Sequence, residues 1–306
     1  MKARYLTFFS YIGTSFRLIV FRKSKLSYNV HRTDGGVHAL NSSAHFDLER
    51  FGSRIYEPHN IAYSMNKFFY KYKTPIFIKQ CLRVNDNFSA RFNAIRRTYL
   101  YRFAILKEEV KVPEDVSIPS YIPIEEWRRC HFMRLRNFDI EKFKAGAKYL
   151  TGYHDFTTFK KFDKLTQEKH NRREIYSIEV RPGRGAVTSH TEAQENPFLY
   201  WDVEIQGRGN QYIFVYPQIR RMLGTLISVA IGKLQPQDIQ VMLQVPSKHS
   251  WHSFIATGPP DGLYLCNVEY NPDDLIYSET TETDTSGVIQ PTSTSSTSEI
   301  DLESEH

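Results

Sequence analysis

A single acidic residue near the start of the chain stands between a basic residue and two glycines. The segment reads His31-Arg32-Thr33-Asp34-Gly35-Gly36-Val37-His38-Ala39. Glycine permits the backbone conformations of tight turns, so the carboxylate of Asp34 is expected to be exposed on a turn, where an ionised acid could carry chemistry. Asp-Gly is also a frequent pair in β-hairpins, so a purely structural turn is the alternative.

Basic and aromatic residues are interleaved in a second segment. It reads Phe88-Ser89-Ala90-Arg91-Phe92-Asn93-Ala94, followed by Arg96-Arg97-Thr98-Tyr99-Leu100-Tyr101. On a loop that enters a strand, such residues can bind a phosphate and stack on an unpaired base. A stripe of this kind also occurs on the surface and in the core of sheets, which is the structural alternative.

A third segment, Phe214-Val215-Tyr216-Pro217-Gln218-Ile219-Arg220-Arg221-Met222-Leu223-Gly224, opens a predicted helix that ends at Gly232. Arg220 and Arg221 lie in its first turn, where positive charge opposes the helix dipole. We therefore expect these arginines to have another partner, such as a carboxylate or a phosphate. The alternative is a solvated basic corner.

The composition restricts the class of protein. With 306 residues, of which 41% are hydrophobic, the chain can bury a sizeable core. It has no run of eighteen apolar residues and no signal-peptide layout at its N-terminus, which favours a soluble protein. Its three cysteines lack C-x-x-C spacing, which favours a reducing compartment and no structural metal.

The charge is unevenly distributed along the chain. Seven of the 34 acidic residues lie in the last 29 residues, which contain no Lys or Arg, so the rest of the chain carries a formal charge of +13. Together with 14% aromatic residues, this excess is typical of a surface that binds phosphates and stacks on bases. A merely basic soluble protein is equally compatible with the charge alone. The acidic Ser/Thr-rich tail, residues 278–306, is predicted to be disordered and dispensable for chemistry.

Hydrophobic periodicity predicts the elements that position these segments. Strands are predicted over residues 6–11, 37–46, 76–84 and 98–106, and around 176–180 and 199–205. The last two are expected to bury one face each. Helices are predicted over residues 61–69, from Asp139 as N-cap to near Gly152, from Pro217 to Gly232, and over 236–243. The order favours an α+β sheet with helices on one face.

These segments together resemble the TruA-type tRNA pseudouridine synthases, in particular their animal mitochondrial TruA-like branch. The family's R-T-D-[AG]-G-V-H-A hallmark is present without a gap at Arg32 to Ala39. The resemblance spans about residues 4 to 270 and continues through Phe88 to Tyr101, Gly152 to Phe159, Phe214 to Gly224 and Pro260 to Leu265.

The resemblance implies two ferredoxin-like halves that share a mostly antiparallel central sheet, residues 1–107 with the Asp34 loop and residues 108–277. It further implies an isomerase that converts uridine to pseudouridine in the anticodon arm of tRNA, at tRNA positions 38 to 40, in a basic cleft into which the nucleotide is flipped. The implied partners are tRNA and a second copy in a homodimer, with no membrane. No metal or organic cofactor is implied, and the compartment is the mitochondrion, with the cytoplasm as alternative.

The family motifs also imply residue roles. Asp34 matches the nucleophile, Arg220 the arginine that pairs with it, and Tyr99 the tyrosine that stacks on the detached uracil. The remaining matches are Arg32, which helps displace the nucleotide, Leu263, which packs against the base, and Arg96, Arg97 and Arg221, which are candidate phosphate contacts. His38 is expected to be a structural, hydrogen-bonded residue.

One departure from the family pattern lies in the first half. Only residues 15–30 connect the opening strand to the Asp34 loop, too few for the family's long helix and the next strand together. The sequence alone therefore leaves open a catalytically impaired RNA-binding isoform or a tRNA-folding helper. A nucleic-acid hydrolase that uses Asp34 and Asp155 is disfavoured, because the chain offers no carboxylate cluster.

Overall fold

The computed structural model describes residues 1–16, 28–30, 35–111, 118–160, 171–186, 196–209 and 217–278. The strands in these ranges are β1 Lys2–Tyr11, β2 Tyr28–Val30, β3 His38–Glu49, β4 Ile76–Val84, β5 Ala94–Leu106, β6 His131–Met133, β7 Gly152–Asp155, β8 Arg172–Pro182, β9 Phe198–Arg208 and β10 Leu263–Tyr270. The helices are α1 Pro58–Lys71, α2 Ile140–Leu150, α3 Gln218–Ala230 and α4 Pro236–Gln244.

The strands form one continuous sheet. Their order is β4-β1-β3-β10-β5-β9-β8-β7, with β2 paired to β3 and β6 paired to β5. Only the β10–β3 and β5–β6 pairs are parallel. The last strand in sequence, β10, thus lies at the centre, between the strand that follows the Asp34 loop and the strand that carries Tyr99.

One face of the sheet carries the helices. Residues that pair directly across neighbouring strands point to the same face. Such pairs cross the centre of the sheet at Tyr11 and Ala39, Ala39 and Leu265, Leu265 and Tyr99, and Tyr99 and Ile205. On this face α1 packs through Ile61 beside Tyr5 and Phe46, and α2 packs through Phe143 on Phe103. Both α3 and α4 pack against α2.

The opposite face is partly covered by the chain between β5 and β6. A second cluster contains Ala104, Leu106, Phe198 and Tyr200, with Cys130 and Phe132 over them. Phe198 and Tyr200 of β9 are therefore buried on this face, whereas Val203 and Ile205 are buried against the helices. The prediction that β9 buries a single face was wrong, because this connecting segment folds back over the sheet.

The bounds of the other predicted elements are confirmed within a few residues. In β8, however, the predicted buried face fails at Tyr176, which is 42% exposed because the strand register shifts between Ile175 and Ser177. The carboxylate of Asp139 accepts hydrogen bonds from the N–H groups of Glu141 and Lys142 and caps α2. Pro217 stands at the N-cap of α3, and Gly232 follows the helix with φ of +75°. The predicted α+β fold with helices on one face of a mostly antiparallel sheet is confirmed. The predicted disorder of the tail concerns residues 279–306, which lie outside the described residues.

An apolar groove of about 220 Å³ lies between α1 and the sheet. It is lined by β1, β3 and β4 residues together with the apolar side of α1.

The family's additional helix was predicted to be missing between β1 and β2, and residues 17–27, which form this connection, lie outside the described residues. None of the helices in the described ranges is long and apolar enough to cross a lipid bilayer.

Candidate active site

The turn that follows Asp34 is held by two distant parts of the chain. Gly36 has φ of +86°, in the left-handed region that favours glycine. Its N–H donates to the carbonyl oxygen of Phe16 over 3.1 Å. A Cβ atom added at Gly36 would lie 2.9 Å from Cγ of Pro260, so a larger residue would displace the turn. Asp34 and Arg32 themselves lie outside the described residues.

His38 lies at the start of β3, just beyond this turn, and its ring forms hydrogen bonds with three distant backbone groups. Its Nδ1 accepts the N–H of Gly13 over 3.2 Å, so the proton of the neutral ring lies on Nε2, 3.1 Å from the carbonyl oxygen of Arg128 and 3.2 Å from that of Asp261. Burial lowers the pKa of His38 and keeps the ring neutral. The ring stacks on Tyr264 at 4.6 Å between centroids. The predicted structural role of His38 is confirmed.

Arg220 extends from the first turn of α3 to the backbone of Gly258. Its Nε donates to the carbonyl oxygen of Gly258 over 2.6 Å, and the N–H of Gly258 donates back to the carbonyl oxygen of Arg220 over 3.0 Å. These reciprocal bonds fix the guanidinium relative to residues 258–260. A backbone carbonyl is thus one partner of Arg220, while the carboxylate or phosphate partner expected from the sequence stays a prediction.

Tyr99 and Leu263 lie on adjacent central strands. Leu265 is directly opposite Tyr99, and Leu263 is directly opposite Tyr101. Tyr101 is fully buried, and its hydroxyl donates to the carbonyl oxygen of Pro259 over 3.1 Å. Tyr99 is buried, with 9% of its surface exposed. The two tyrosines are about 7 Å apart along one face of β5.

The segment Gly258-Pro259-Pro260 therefore contacts three parts of the candidate site. Gly258 binds Arg220, Pro259 binds Tyr101, and Pro260 packs on Gly36. Leu263 follows this segment after a single 3-10 turn. The described residues thus bring together the turn after Asp34, the guanidinium of Arg220, the strand that carries Tyr99, and Leu263.

Of the arginines predicted to contact phosphates, Arg97 is buried and Arg96 is exposed. Arg97 is 2% exposed, its pKa is lowered chiefly by burial, and its side chain is hydrogen-bonded to Tyr99. Nε of Arg96 lies 3.7 Å from the carboxylate of Glu269 at the surface. Arg97 is therefore placed to orient the phenol of Tyr99, while the phosphate contacts of both arginines stay predictions.

Arg221 is held by groups of its own half of the chain. Its guanidinium lies 3.6 Å from the centroid of the Trp251 ring and donates to the carbonyl oxygen of Lys160. Burial lowers the pKa of Arg221 to about 10. The cation–π contact explains how this second arginine is accommodated at a helix N-terminus. Its phosphate contact also stays a prediction.

Sequence reasoning missed the residues that connect these parts. Gly258, Pro259 and His131 were not singled out, and Tyr101 was named in a segment but given no role, although each contacts the site or its supports. The available signal was a glycine followed by two prolines, which is typical of a rigid turn, immediately before a family motif. Nothing in the spacing indicated which residues this turn would touch.

The described ranges contain neither a cluster of metal-binding side chains nor, at Cys81 and Cys266, a thiolate near neutral pH. In this part of the chain, no three His, Cys, Asp or Glu side chains lie together in a way that could hold a metal ion. Burial raises the pKa of the Cys81 and Cys266 thiols to about 12, so neither is a thiolate near neutral pH.

Comparison with known proteins identifies the family. Residues 147–271 match the family model described as tRNA pseudouridine synthase. A Xenopus laevis protein, tRNA pseudouridine synthase-like 1, is 30% identical over 90% of this chain and 93% of its own length. The chain belongs to the tRNA pseudouridine synthase family. The Homo sapiens tRNA pseudouridine synthase-like 1 is 27% identical over 88% of this chain and 91% of its own length. The tRNA pseudouridine synthase A of Dinoroseobacter shibae is 30% identical over 79% of this chain and 79% of its own length.

The predicted resemblance to tRNA pseudouridine synthases is thus confirmed at the level of the family. The residues that match the family model include Arg220, Arg221 and Leu263. Asp34 and Tyr99 precede this range, and the alignment to the Xenopus laevis tRNA pseudouridine synthase-like 1 covers most of the chain.

Proposed function

We propose that this chain isomerises uridine to pseudouridine in tRNA, with Asp34 as the reacting carboxylate. The single observation that carries the proposal is the segment Gly258–Pro260. It contacts the turn after Asp34, the guanidinium of Arg220 and the strand of Tyr99 in a chain of the tRNA pseudouridine synthase family.

The reaction conserves every atom of the nucleotide. The N1–C1′ glycosidic bond breaks, the uracil rotates while bound, and a C5–C1′ bond forms. C5 then loses its proton and N1 carries one. An ionised Asp34 either attacks C1′ or removes a ribose proton to give a glycal, and both routes require a charged carboxylate beside the sugar. No step needs an oxidant or a metal.

The roles proposed for the remaining groups are those that the family resemblance implies. The guanidinium of Arg220, whose Nε is held by Gly258, would keep Asp34 ionised by electrostatic attraction. The ring of Tyr99, whose phenol is hydrogen-bonded to Arg97, would stack on the uracil while it rotates. Leu263 would pack against the base, and Arg32 would help displace the nucleotide from its stack.

The anticodon arm is proposed as the region of tRNA that is modified. The proposal rests on the motif resemblance, and the formal charge of +13 outside the tail suits a polyanionic substrate. Mapping of pseudouridine along each tRNA would identify the modified positions directly. Modified uridines confined to another arm would contradict this assignment.

The mitochondrion and a homodimer are proposed on the likeness to the animal branch. Cell fractionation tests the compartment, and sedimentation equilibrium of the purified protein tests the assembly. A protein recovered only outside mitochondria, or only as a monomer, would contradict the respective proposal.

The catalytically impaired alternative is less well supported. It was motivated by the short connection between β1 and β3. In the described residues beyond this connection, however, the segment Gly258–Pro260 contacts Gly36, Arg220 and Tyr101. We therefore favour an active enzyme over an RNA-binding isoform or tRNA-folding helper.

The function is tested by pseudouridine mapping of total tRNA from cells that lack the gene. The cells are rescued with the native sequence, with Asp34→Asn, which keeps the shape and removes the charge, or with Asp34→Ala. Asp86→Asn, at an exposed turn, is the matched control. The native chain and the control are expected to restore pseudouridine, and both Asp34 variants are expected to leave the sites unmodified. Restoration by Asp34→Asn would overturn the proposal and favour the helper.

A further inference from the structure

The hydroxyl of Tyr101 is buried between two hydrogen-bonding neighbours. It lies 3.1 Å from the carbonyl oxygen of Pro259 and 3.1 Å from Nδ1 of His131. A carbonyl oxygen can only accept, and a phenol has one proton, so Tyr101 donates to Pro259. It must then accept from His131, which requires a proton on Nδ1.

The protonation states of both side chains fit this relay. Burial lowers the pKa of His131 to about 4, so the imidazole is neutral at physiological pH. Burial raises the pKa of Tyr101 well above its ordinary value, so the phenol keeps its proton. Pairing of β6 with β5, which aligns His131 with Phe103, holds the histidine in register.

The acceptor of this relay belongs to a segment with few other anchors. Pro259 and Pro260 have no N–H groups, so this part of the backbone can be held through hydrogen bonds only at its carbonyl oxygens. On one side, Gly258 exchanges two hydrogen bonds with Arg220. On the other, the Pro260 ring packs on Gly36 in the turn after Asp34. A shift of Pro259 would therefore move both contacts.

We propose that Tyr101 and His131 are positioning residues for this reaction. The relay from His131 through Tyr101 to Pro259 sets the segment Gly258–Pro260, and through it the relative placement of Arg220 and the turn that carries Asp34. The proposal rests on the function proposed above. The role is indirect, because the Tyr101 side chain is fully buried.

Tyr101→Phe tests the relay, since it keeps the ring and removes only the hydroxyl. The single-turnover rate constant on tRNA is expected to fall by at least about tenfold, because small displacements of reacting groups are costly. The Kd for tRNA is expected to stay within about twofold, because the surface that meets RNA is unchanged. The matched control is Tyr5→Phe. Tyr5 is also fully buried and donates its hydroxyl to the carbonyl oxygen of Tyr56 over 2.7 Å, near the edge of the sheet. This control is expected to keep the native rate.

Variants of His131 provide a second test that does not depend on the folding of Tyr101→Phe. The amide nitrogen of asparagine can take the place of Nδ1 as a donor, so His131→Asn is expected to keep the native rate within about threefold. His131→Leu has no donor and is expected to reproduce the loss seen in Tyr101→Phe. Equal rates for the two His131 variants would overturn the proposal.

Hydrogen exchange at the Gly258 amide separates this inference from the proposed function. Its N–H is bonded to the carbonyl oxygen of Arg220, and its exchange is expected to quicken in Tyr101→Phe but not in Tyr5→Phe. If the native chain modifies no tRNA, the proposed function fails, and the exchange rates still decide whether Tyr101 sets the segment. Unchanged exchange in Tyr101→Phe, or a rate equal to that of Tyr5→Phe, would overturn the positioning role.

Discussion

Two glycines of the first half have nearly the same backbone conformation but different surroundings. Gly36 has φ of +86° and Gly52 has φ of +88°. A Cβ atom at Gly36 would lie 2.9 Å from the Pro260 ring, whereas one at Gly52 would have no atom within 4 Å. Alanine at each position meets the same backbone penalty, and only position 36 adds a steric conflict with the segment that binds Arg220.

Gly36→Ala is accordingly expected to lower the free energy of unfolding by about 1 to 3 kcal/mol more than Gly52→Ala does. It is also expected to reduce the single-turnover rate constant about a hundredfold, because the turn after Asp34 moves relative to Arg220. Urea unfolding and rapid-quench assays measure the two effects. Similar losses in both variants would show that the Pro260 contact is unimportant.

At the scale of elements, α2 illustrates how a local signal supports a helix far from the chemistry. Asp139 Oδ1 accepts the N–H groups of Glu141 at 2.9 Å and Lys142 at 3.1 Å, which would otherwise lack helical partners. The helix then buries Phe143, Ala147 and Leu150 along one side. This side of α2 packs on Phe103 of β5 and against α3 and α4.

Asp139→Ala is expected to lower the free energy of unfolding by about 1 kcal/mol through loss of the cap. Glu141→Ala is the control, because it removes a charge from the same turn without removing a cap, and it is expected to lower this free energy by less than about 0.5 kcal/mol. Chemical denaturation measures both variants. Turnover by the folded fraction should be native in each, and a selective loss of activity in Asp139→Ala would contradict a purely structural role.

For the molecule as a whole, buried histidines determine the response to acid. Burial lowers the pKa values of His38 and His45, and it lowers that of His131 to about 4. In the unfolded chain, histidine has a pKa of about 6.5. As the pH falls below this value, the unfolded state binds protons before the folded state does. The stabilisation is therefore complete above about pH 6.5 and is lost as the pH falls toward the folded pKa values.

The free energy of unfolding is expected to decrease between about pH 6.5 and pH 4, with a slope of up to about 1.4 kcal/mol per pH unit for each such histidine. Urea unfolding at several pH values measures this slope. His131→Asn, which cannot titrate, is expected to reduce it. A slope insensitive to position 131 would contradict the burial of a neutral imidazole there.

Much of the architecture could be predicted because it depends on neighbours in sequence. The boundaries of β4 and the cap of α2 follow from alternation, helical spacing and a capping side chain, which act over a few residues. The Arg32–Ala39 motif indicated the family for a similar reason, because its residues are contiguous and the motif can be recognised without knowledge of the fold. By itself, then, the sequence determined the fold class, the family and the candidate reacting groups.

Only the tertiary structure decided how the supports of those groups meet. The contacts of Pro260 with Gly36, of Gly258 with Arg220 and of Tyr101 with His131 join residues far apart in the chain. The Pro260 contact depends on the placement of β10 between β3 and β5, and the His131 contact depends on the pairing of β6 with β5. Alternation specifies which face of a strand is buried but neither its neighbours nor its register, so contacts across the sheet are fixed only when the whole core packs.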